Sequence, residues 1–399
     1  MTQNNLPKDW QIKKLNDVSK KLSLNKLKIK QKDYLPSGLF PVIDQGQDLV
    51  GGYYNDENLL VSDEPPYIIF GDHTKVKKYI NFKFIPGADG VKVLKAKENI
   101  LPKFLYYLLF TIKIEDKGYA RHFQLLEKES FLIPNDIETQ QAIVSKIEEL
   151  FSELDKGIED LKTAQQQLKT YRQSVLKWAF EGKLTNENVK EGELPKGWLV
   201  VRFGELFCES PQNGLYKSSS EYGEGTPIVR IDGFYDGVIL DNYQIKKVKL
   251  TEEEINRYLI SIGDILVNRV NSMPYLGKCG LVKHLNERTV FESNIMKIRV
   301  NKEIAIPEYI SKFLTSKKGL SELRKNAKQA VNQASINQTD VSNVLIPLPQ
   351  PKEQHRIVQE IESRLSVADK MEESIAQSLQ QAEVVRQSIL KKAFSGELV

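Results

Sequence analysis

The spacing of apolar residues along the chain predicts two long helices. Apolar side chains recur every seven positions in residues 138–182 and again in residues 352–395. The two series are Ile147, Leu154, Leu161, Leu168 and Val175 in the first helix, and Ile361, Ala368, Ile375, Ala382 and Ile389 in the second. Companion series run beside them, through Ile143, Leu150, Ala164, Tyr171 and Trp178, and through Ile357, Met371 and Val385. A narrow stripe sustained over about five heptads is typical of a coiled-coil seam.

The two predicted helices belong to an internal repeat. Residues 174–177, Ser-Val-Leu-Lys, return as Ser-Ile-Leu-Lys at 388–391, and the glycine after the first helix, Gly182, returns as Gly396. The sequence Leu-Pro-Lys opens both halves, at residues 6–8 and 194–196. One unit, a globular segment followed by a long helix, therefore occurs twice, which indicates a pseudo-symmetric molecule that does one job at two places.

Each long helix has a narrow apolar stripe that needs a partner. The other helix of the same chain is the obvious one, and a two-fold relation between the copies makes the pair antiparallel. A helix of a second chain is the alternative, because any amphipathic helix carries such a stripe.

Between the helices, short runs of β-branched and aromatic residues predict strands. Examples are residues 67–70, 228–231 and 264–267, together with the alternating Lys-Leu-Lys-Ile-Lys of residues 26–30. Helical patches follow at 103–112 and 308–315. The predicted fold class is α+β: two pseudo-symmetric mixed α/β domains joined by two long helices that form an antiparallel coiled coil. The predicted segments are a first domain, 1–137; a long helix, 138–184; a linker, 185–193; a second domain, 194–351; and a second long helix, 352–399.

Composition narrows the function classes. The chain has 399 residues, 40% hydrophobic, with a net charge of +4, two cysteines and four histidines in no metal-binding spacing. We therefore expect no structural metal, disulfide framework or cofactor. No apolar run reaches the roughly 20 residues needed to cross a bilayer, so we expect a cytoplasmic protein with no membrane partner. The mild basic excess permits nucleic-acid binding without requiring it.

Catalytic motifs are weak. Residues 64–67, Glu-Pro-Pro-Tyr, resemble the motif by which adenine-N6 methyltransferases hold their target base, but glutamate replaces the short Asn or Asp, and no glycine turn for S-adenosylmethionine is present. Glu115 and Lys117 match only half of a nuclease motif, and no phosphate-binding loop exists. The sequence predicts a protein that is not an enzyme.

Taken together, the repeated motifs resemble the specificity subunit of type I restriction-modification systems. The resemblance spans essentially the full length and rests on Leu-Pro-Lys-x-Trp at the start of each half and Arg-Gln-Ser-(Val/Ile)-Leu-Lys-x-Ala-Phe-x-Gly at the end of each helix. Gly-Asp-Ile-Leu at 263–266 and the proline-rich run 346–354 are similar to further motifs of that family. The first copy departs from the second of these at 133–140, where one proline and the Glu-Gln pair are missing.

The resemblance implies a specific division of labour. Each domain would be a target-recognition domain that reads one half of a bipartite, asymmetric site in double-stranded DNA. The paired helices would space the two domains and carry two methyltransferase subunits, and two motor-nuclease subunits would complete the complex. Adenine methylation and ATP-dependent cleavage would belong to those partners. About 40 residues of helix span roughly 60 Å.

Arg, Lys, Asn and Gln are the side chains that read base edges and hold phosphates, and loops rich in them are the predicted DNA contacts. In the first domain these are Lys26, Lys28, Lys30, Gln45, Gln47, Lys75, Lys77, Lys78, Arg121, His122 and Gln124. In the second they are Arg230, Asp232, Arg269, Asn271, Ser272, Lys278, Asn332, Gln333, Ser335, Asn337 and Gln338. Any one of them could instead be an ordinary solvated side chain.

Three alternatives stay open from the sequence. A self-contained adenine methyltransferase would bind S-adenosylmethionine. A coiled-coil scaffold with protein-binding domains would need no affinity for DNA. The specificity component of a related restriction or phage-defence system would share the fold and act with a different effector.

Overall fold

The computed structural model describes residues 9–24, 27–87, 90–115, 118, 120–186, 188–235, 237–239, 245–331 and 333–399. The chain divides into two compact units. Unit 1 contains residues 1–162 and 376–399, and unit 2 contains residues 163–375. Each unit therefore combines one globular segment with part of both long helices.

The two long helices have nearly the bounds that the heptads predict. They are α4, Ile137–Phe180, and α9, Pro351–Ser395. Both end at a glycine in the left-handed region, Gly182 and Gly396, each with φ +79°. This conformation suits glycine because it has no Cβ to clash with the backbone, and it terminates the helix.

Unit 1 is built of short strands and helices around these helix segments. The strands are β1 Trp10–Lys14, β2 Ser19–Lys21, β3 Phe40–Ile43, β4 Gly52–Tyr54, β5 Tyr67–Gly71, β6 Lys77–Ile80, β7 Ile85–Pro86, β8 Val91–Ala96 and β9 Ser130–Pro134; the short helices are α1 Leu15–Val18, α2 Pro102–Leu108 and α3 Phe123–Leu126. The main sheet has the order β2-β8-β5-β6 and is antiparallel. A second sheet has the order β4-β3-β7, and β1 pairs with β9.

Strand β5 explains why residues 67–70 read as a continuous apolar run. Successive side chains of a strand point to opposite faces of the sheet. Ile68 and Phe70 pack into the cluster that holds α2 and the long helices, whereas Tyr67 and Ile69 pack into a second cluster on the other face. The strand is buried on both sides, so no polar residue interrupts it.

Unit 2 repeats this plan with more strands. They are β10 Leu199–Arg202, β11 Gln212–Asn213, β12 Tyr222–Val229, β13 Phe234–Tyr235, β14 Gly237–Ile239, β15 Lys246–Val248, β16 Ile265–Asn268, β17 Val270–Asn271, β18 Cys279–Leu281, β19 Val290–Phe291, β20 Ile295–Ile298, β21 Lys328–Gln329, β22 Ala334–Ser335 and β23 Leu345–Leu348; the short helices are α5 Glu252–Tyr258, α6 Pro307–Thr315, α7 Lys317–Arg324 and α8 Gln338–Ser342. The sheets have the orders β11-β20-β16-β18-β14-β13, β15-β12-β19 and β17-β22-β21, and β10 pairs with β23. Strand β16, like β5, is buried on both faces, with Ile265 and Val267 in one cluster and Leu266 in another.

The long helices run antiparallel to one another within each unit. In unit 1, Ile143 and Ile147 of α4 share a buried cluster with Leu390 and Phe394 of α9. In unit 2, Val175 and Ala179 near the end of α4 share a buried cluster with Ile357 and Ile361 near the start of α9. The internal pairing that the repeat predicts is therefore present.

All ten residues of the two main heptad series are buried or half-buried. The companion series is wrong in places, because Tyr171, Trp178, Met371 and Val385 are exposed. A strict seven-residue step drifts by about 20° per heptad around an ideal α-helix. By the end of α4 the buried face has moved on to Ala179, and Trp178 faces solvent.

A buried glutamine joins each long helix to its domain. Gln354 accepts a hydrogen bond from Ile306 N (2.8 Å) and donates to the carbonyl oxygens of Ile304 (2.9 Å) and Pro349 (2.8 Å). Gln140 makes the same set in unit 1, accepting from Leu101 N (2.9 Å) and donating to the carbonyls of Asn99 and Pro134. The Glu-Gln pair expected to be missing from the first copy is therefore only half missing: Gln140 takes the place of Gln354, and Thr139 stands where the second copy has Glu353.

Two predicted strands also differ from the structure. Residues 27–30 form no strand, and only an isolated bridge joins Ile29 to Gly87. The strand expected at 228–231 starts earlier and ends at Val229, because Arg230 begins the turn closed by Gly233 N donating to Arg230 O.

Candidate nucleic-acid interface

In unit 1, three polar loops that are distant in sequence meet at one end of the main sheet. The turn after β5 donates to the loop that carries Gln45: His73 N donates to Gln45 Oε1 (3.1 Å), and Thr74 Oγ1 donates to Gln45 O (2.7 Å). The His73 ring contacts the third loop through Ala120 O, 3.2 Å from Nδ1. The loops that carry Gln45, Lys75 and Arg121, three of the predicted DNA contacts, are thereby brought together.

The buried Asp72 links the turn after β5 to α3 and to β8. The buried carboxylate accepts from Phe123 N (2.8 Å) through Oδ1 and pairs with Lys92 Nζ (3.2 Å) through Oδ2. His122 also contacts this residue, since both its backbone N (2.8 Å) and its ring Nδ1 (3.0 Å) lie against Asp72 O. His122 is completely buried. Its expected place in an exposed cluster does not hold, whereas Arg121 and Gln124 on either side are exposed.

The lysines predicted in unit 1 fall into different environments. Lys78 is buried, pairs with Asp44 (3.7 Å) and donates to Asp48 O, so its predicted place on the DNA-binding surface is wrong. Lys77 is half-buried, with Nζ 4.7 Å from the centre of the Phe110 ring. Burial, together with the charge of Lys75, lowers the pKa of Lys77 to about 8.

The sequence predicts Lys28 as a DNA contact but not the basic groove to which it belongs. Lys21 on β2, Lys28 and Lys92 on β8 line a depression of about 430 Å³. The amines of Lys21 and Lys92 lie 5.2 and 6.0 Å from the centre of the Phe123 ring, beside the loop of Arg121 and Gln124. The one available signal was Val-Lys-Val at 91–93, where alternation places the lysine on the opposite face from the core. Of the other predicted residues here, Lys30 and Gln47 are exposed and Lys26 lies outside the described residues.

In unit 2, the predicted segments meet at the turn of residues 292–294. The buried carboxylate of Glu292 accepts from Arg230 Nε (3.1 Å) and Ile231 N (2.7 Å). Although burial acts to lower it, the Glu292 carboxylate raises the pKa of Arg230 above its ordinary value. Arg269 Nη1 donates to Ser293 O (3.0 Å), and Arg269 N donates to Asn294 O (2.9 Å). Two arginines far apart in sequence are thus held at adjacent positions of one turn, beside the exposed Asp232.

The amide-rich segment joins the same surface through a small sheet. Strand β22 pairs with β17, placing Ser335 opposite Val270 and Ala334 opposite Asn271. Strands β21 and β22 form a hairpin closed by Ala330 N donating to Gln333 O (2.7 Å). Gln329, Gln333 and Val331 at its tip are exposed, and Val331 is 99% exposed.

The remaining predicted residues of unit 2 have mixed roles. Asn337 caps α8 by accepting from Asp340 N (3.0 Å), and Gln338 donates to Pro211 O. Both side chains therefore form hydrogen bonds within the fold. Lys278 Nζ lies 4.6 Å from the centre of the Tyr275 ring, in the turn that begins at Ser272. Asn332 lies outside the described residues.

Tyr216 is a candidate that the sequence reasoning missed. It is 81% exposed, and its neighbour Leu215 accepts from Ser293 N (2.8 Å), which brings the tyrosine beside the arginine-holding turn. An isolated tyrosine in a polar loop gives no periodic signal, so only its position in the fold makes it a candidate.

The chemistry of both surfaces is that of hydrogen bonding and charge. Guanidinium, amide and ammonium groups at a shared edge can hold phosphates and read base edges. Among the described residues, no cluster of three or more His, Cys, Asp or Glu is arranged to hold a metal ion. In the part of the chain that the structure describes, no helix is both long and apolar enough to cross a membrane.

Comparison with known proteins decides the family. A family model described as the type I restriction modification DNA specificity domain matches residues 7–163 and matches again over residues 195–381. The chain belongs to this family of type I restriction-modification specificity subunits. Each match begins at a repeated Leu-Pro-Lys opening and extends into a long helix. The resemblance stated from the motifs is thereby confirmed.

Individual proteins are similar to this chain over nearly its whole length. The EcoKI specificity subunit of Escherichia coli strain K12 is 28% identical over 429 residues, covering 100% of this chain and 91% of that protein. A chain solved in a study of complex assembly and conformational transition of the type I R-M system has a TM-score of 0.71 at 19% identity, covering 98% of this chain and 99% of that one. The HsdS subunit from Thermoanaerobacter tengcongensis has a TM-score of 0.55 at 20% identity.

The predicted fold class and general function are confirmed. The protein is a DNA specificity subunit of a type I restriction-modification system with two target-recognition domains. Specificity subunits are non-catalytic, and the activities reside in the methyltransferase and restriction subunits. The domain boundaries and the individual DNA contacts stay predictions.

Proposed function

We propose that each unit of this specificity subunit reads one half of a bipartite, asymmetric site in double-stranded DNA. Support comes from the two polar surfaces, one in each unit. In unit 1 the surface combines Gln45, Arg121 and the groove of Lys21, Lys28 and Lys92; in unit 2 it combines Arg230, Arg269 and the β21–β22 hairpin. The two surfaces use different side chains on different loops. Different donors and acceptors select different bases, so the two half-sites differ in sequence.

The observation that carries the proposal is the convergence in unit 2. Residues 230–232, 269–272 and 333–335 are far apart in sequence, yet the 292–294 turn and the β17–β22 pairing collect them on one surface. A two-stranded ribbon fits the major groove of DNA, and the arginines beside it can hold phosphates or guanine edges. Fixing long side chains in advance lowers the entropy lost on binding.

The paired helices α4 and α9 are proposed to set the spacing between the half-sites and to carry two methyltransferase subunits, with two motor-nuclease subunits completing the complex in the cytoplasm. The domain limits proposed are residues 1–137 and 194–351 for the two readers, with 185–193 as the linker between the halves.

Mapping of methylated adenines in a host genome tests this proposal. Cells would carry this chain with the methyltransferase encoded beside it, and residues 1–137 would then be replaced by those of a relative. One half of the methylated motif is expected to change while the other half and the gap persist. The reciprocal exchange of 194–351 is expected to change only the other half.

An unchanged motif after both exchanges would contradict the proposal and favour a scaffold with no DNA readout. A change of both halves by either exchange would contradict the assignment of one reader to each unit. A motif read in partnership with an effector other than a methyltransferase would place the chain in a related defence system.

A further inference from the structure

Beyond the DNA surfaces, unit 1 contains a wide groove on the flank of its helix pair. It has a volume of about 710 Å³ and lies between α2, the start of α4 and the end of α9. Arg386 crosses it, with its guanidinium 4.5 Å from the centre of the Phe151 ring and an ion pair to Asp155. Tyr107 and Phe110 from α2 also line the groove, with the Tyr107 ring 5.8 Å from that of Phe151. These aromatic side chains are half-buried, so part of each ring faces the groove.

Unit 2 contains a groove of the same construction, with a volume of about 650 Å³, between α6, the end of α4 and the start of α9. Arg172 occupies the place of Arg386 and pairs with Asp369 (2.6 Å) and Glu372 (2.8 Å). The residues at equivalent repeat positions are identical in most cases: Glu148 and Glu362, Ser152 and Ser366, Asp155 and Asp369, Arg386 and Arg172, Gln387 and Gln173, Leu390 and Leu176. The repeat has thus kept one charged and apolar frame in both units.

The two grooves differ where the short helix of each domain contributes. The buried glutamines align Leu101 and Ile306 at the starts of α2 and α6. Counted from these residues, Tyr107 corresponds to Lys312 and Phe110 corresponds to Thr315. On the long helices, Phe151 corresponds to Leu365. One groove therefore has an aromatic wall and the other has a lysine and a threonine.

The residues that the two grooves share indicate what kind of partner binds in them. The DNA surfaces of the two units share no such frame, as expected for two readers of different half-sites. The grooves share theirs, which fits a partner that is present as two identical copies. The methyltransferase subunit is the partner proposed above in two copies on these helices, so this inference rests on the proposed function.

We propose that the two grooves are unequal docking sites for two copies of the methyltransferase subunit, and that the site in unit 1 is the tighter one. Tyrosine and other aromatic side chains dominate the binding energy of protein interfaces, because they bury a large rigid surface at low entropic cost. Lys312 must lose water and side-chain freedom when covered, and burial already lowers its pKa. Assembly therefore proceeds in order, first at the groove of Tyr107 and Phe110, then at the groove of Lys312 and Thr315.

Titration of the full-length chain with the purified methyltransferase subunit, followed by calorimetry and sedimentation velocity, tests the inference. Wild type is expected to bind in two steps whose affinities differ by about tenfold or more, beyond the statistical difference between identical sites. The double variant Tyr107→Lys with Phe110→Thr gives unit 1 the residues of unit 2 and is expected to weaken the first step to the strength of the second. The reciprocal variant, Lys312→Tyr with Thr315→Phe, is expected to strengthen the second step and leave the first unchanged.

The reciprocal pair keeps the test independent of folding, because one variant loses affinity and the other gains it; the unfolding midpoint of both is measured alongside. Two equal steps in wild type, or two steps that neither exchange alters, would overturn the inference. A wild-type chain that binds no methyltransferase would instead overturn the proposed function itself.

Discussion

At the scale of single residues, Gln354 and Gln140 show the internal repeat most directly, because they make the same hydrogen bonds in the two units. Each is fully buried, and each satisfies one peptide N–H and two carbonyl groups at the junction of a long helix with its domain. Buried peptide groups left without partners are costly. A side chain that serves three of them is therefore hard to replace.

Replacing Gln354 with leucine is expected to lower the free energy of unfolding by about 2 kcal/mol, because Ile306 N and the carbonyls of Ile304 and Pro349 lose their partners. Urea unfolding measures the change, and Gln140→Leu is expected to behave alike. Gln141→Leu is the control: this neighbouring side chain is exposed, so a change within about 0.5 kcal/mol is expected. Equal effects at Gln140 and Gln141 would contradict the assigned role.

Lys77 gives a second prediction at this scale. Burial, assisted by Lys75, lowers its pKa from 10.5 to about 8 in the folded chain. Between these values the unfolded chain binds more protons than the folded chain, so the free energy of unfolding rises with pH in this window. Below about pH 8 the lysine is charged in both states, and its full cost to stability is present.

The variant Lys77→Met is expected to be more stable below pH 8 and to lose the rise between about pH 8 and pH 10.5, measured by urea unfolding at a series of pH values. The matched variant Lys75→Met removes a charge that helps to lower the pKa of Lys77. In this variant the rise in the free energy of unfolding is therefore expected to begin at higher pH. If the free energy of unfolding of Lys77→Met still rises by the same amount over this pH range, the rise belongs to another titrating group.

At the scale of elements, the long helices owe their pairing to a stripe that is continuous but only partly buried. Leu154, Leu161 and Leu168 are half-buried, whereas Ile147 and Val175 nearer the ends are fully buried against the globular segments. These three positions of the stripe are therefore covered less completely than Ile147 and Val175.

Charged substitutions at Leu161 and Ile375 are expected to separate the helix pair and abolish assembly with the methyltransferase subunit, because a charge placed at a half-buried apolar position loses part of its water. Gel filtration of the mixed subunits checks this. Lys162→Glu, at an exposed neighbour, should leave assembly intact. Retained assembly of the Leu161→Glu, Ile375→Glu variant would count against the internal seam.

The β21–β22 hairpin of unit 2 has an exposed tip, where Val331 lies. A β-branched side chain that is 99% exposed contributes nothing to the fold and is available to contact a thymine methyl group in the major groove. The glutamines around it can pair with adenine.

Replacing Val331 with aspartate is expected to weaken DNA binding by about tenfold, since a carboxylate at the tip would meet phosphates and acceptor edges. In the methylation map, relaxation is expected only in the half-site read by unit 2. Val384→Asp, at an exposed valine of α9, is the matched control and should leave the motif and affinity unchanged. Loss of the other half-site in Val331→Asp would contradict the assignment.

At the scale of the whole molecule, the chain combines a repeated frame with divergent surfaces. The helix seam, the glutamine clamps and the flanking grooves recur in both units, whereas the polar loops do not. Under the proposed function, the parts that stay alike meet identical partners, and the parts that differ meet different DNA sequences.

The boundary between the units, after Lys162 in α4 and after Ile375 in α9, permits a test of the spacer. Inserting four residues at both points leaves the contacts within each unit intact, including Arg172 with Asp369 and Arg386 with Asp155. The added helix measures about 6 Å, so the unread gap in the methylated motif is expected to lengthen by about one to two base pairs, with both half-sites unchanged.

The same four residues inserted after Glu191, in the linker, are expected to leave the gap unchanged. Methylation mapping in strains that carry the wild type, the helix insertions and the linker insertion compares the length of the gap. Altered half-sites with a constant gap would show that the helices do not set the spacing.

The sequence alone determined the repeat, the two long helices with their ends, the antiparallel seam and the family. These features are local or periodic: heptads mark a helix face, and Gly182 and Gly396 mark helix ends by their backbone freedom. The strands at 67–70 and 264–267 were also predictable, because burial on both faces leaves an uninterrupted apolar run.

Only the tertiary structure decided which polar side chains share a surface. Lys78 and His122 look like exposed residues in the sequence, yet Asp44 and Asp72 draw them into the interior. Lys21 and Tyr216 give no sequence signal and Lys92 gives only the alternation of residues 91–93, yet β pairing and loop contacts place all three beside the predicted residues. A coil at 27–30 likewise replaced an expected strand. Period and propensity describe one element at a time, whereas a binding surface depends on contacts between residues far apart in the chain.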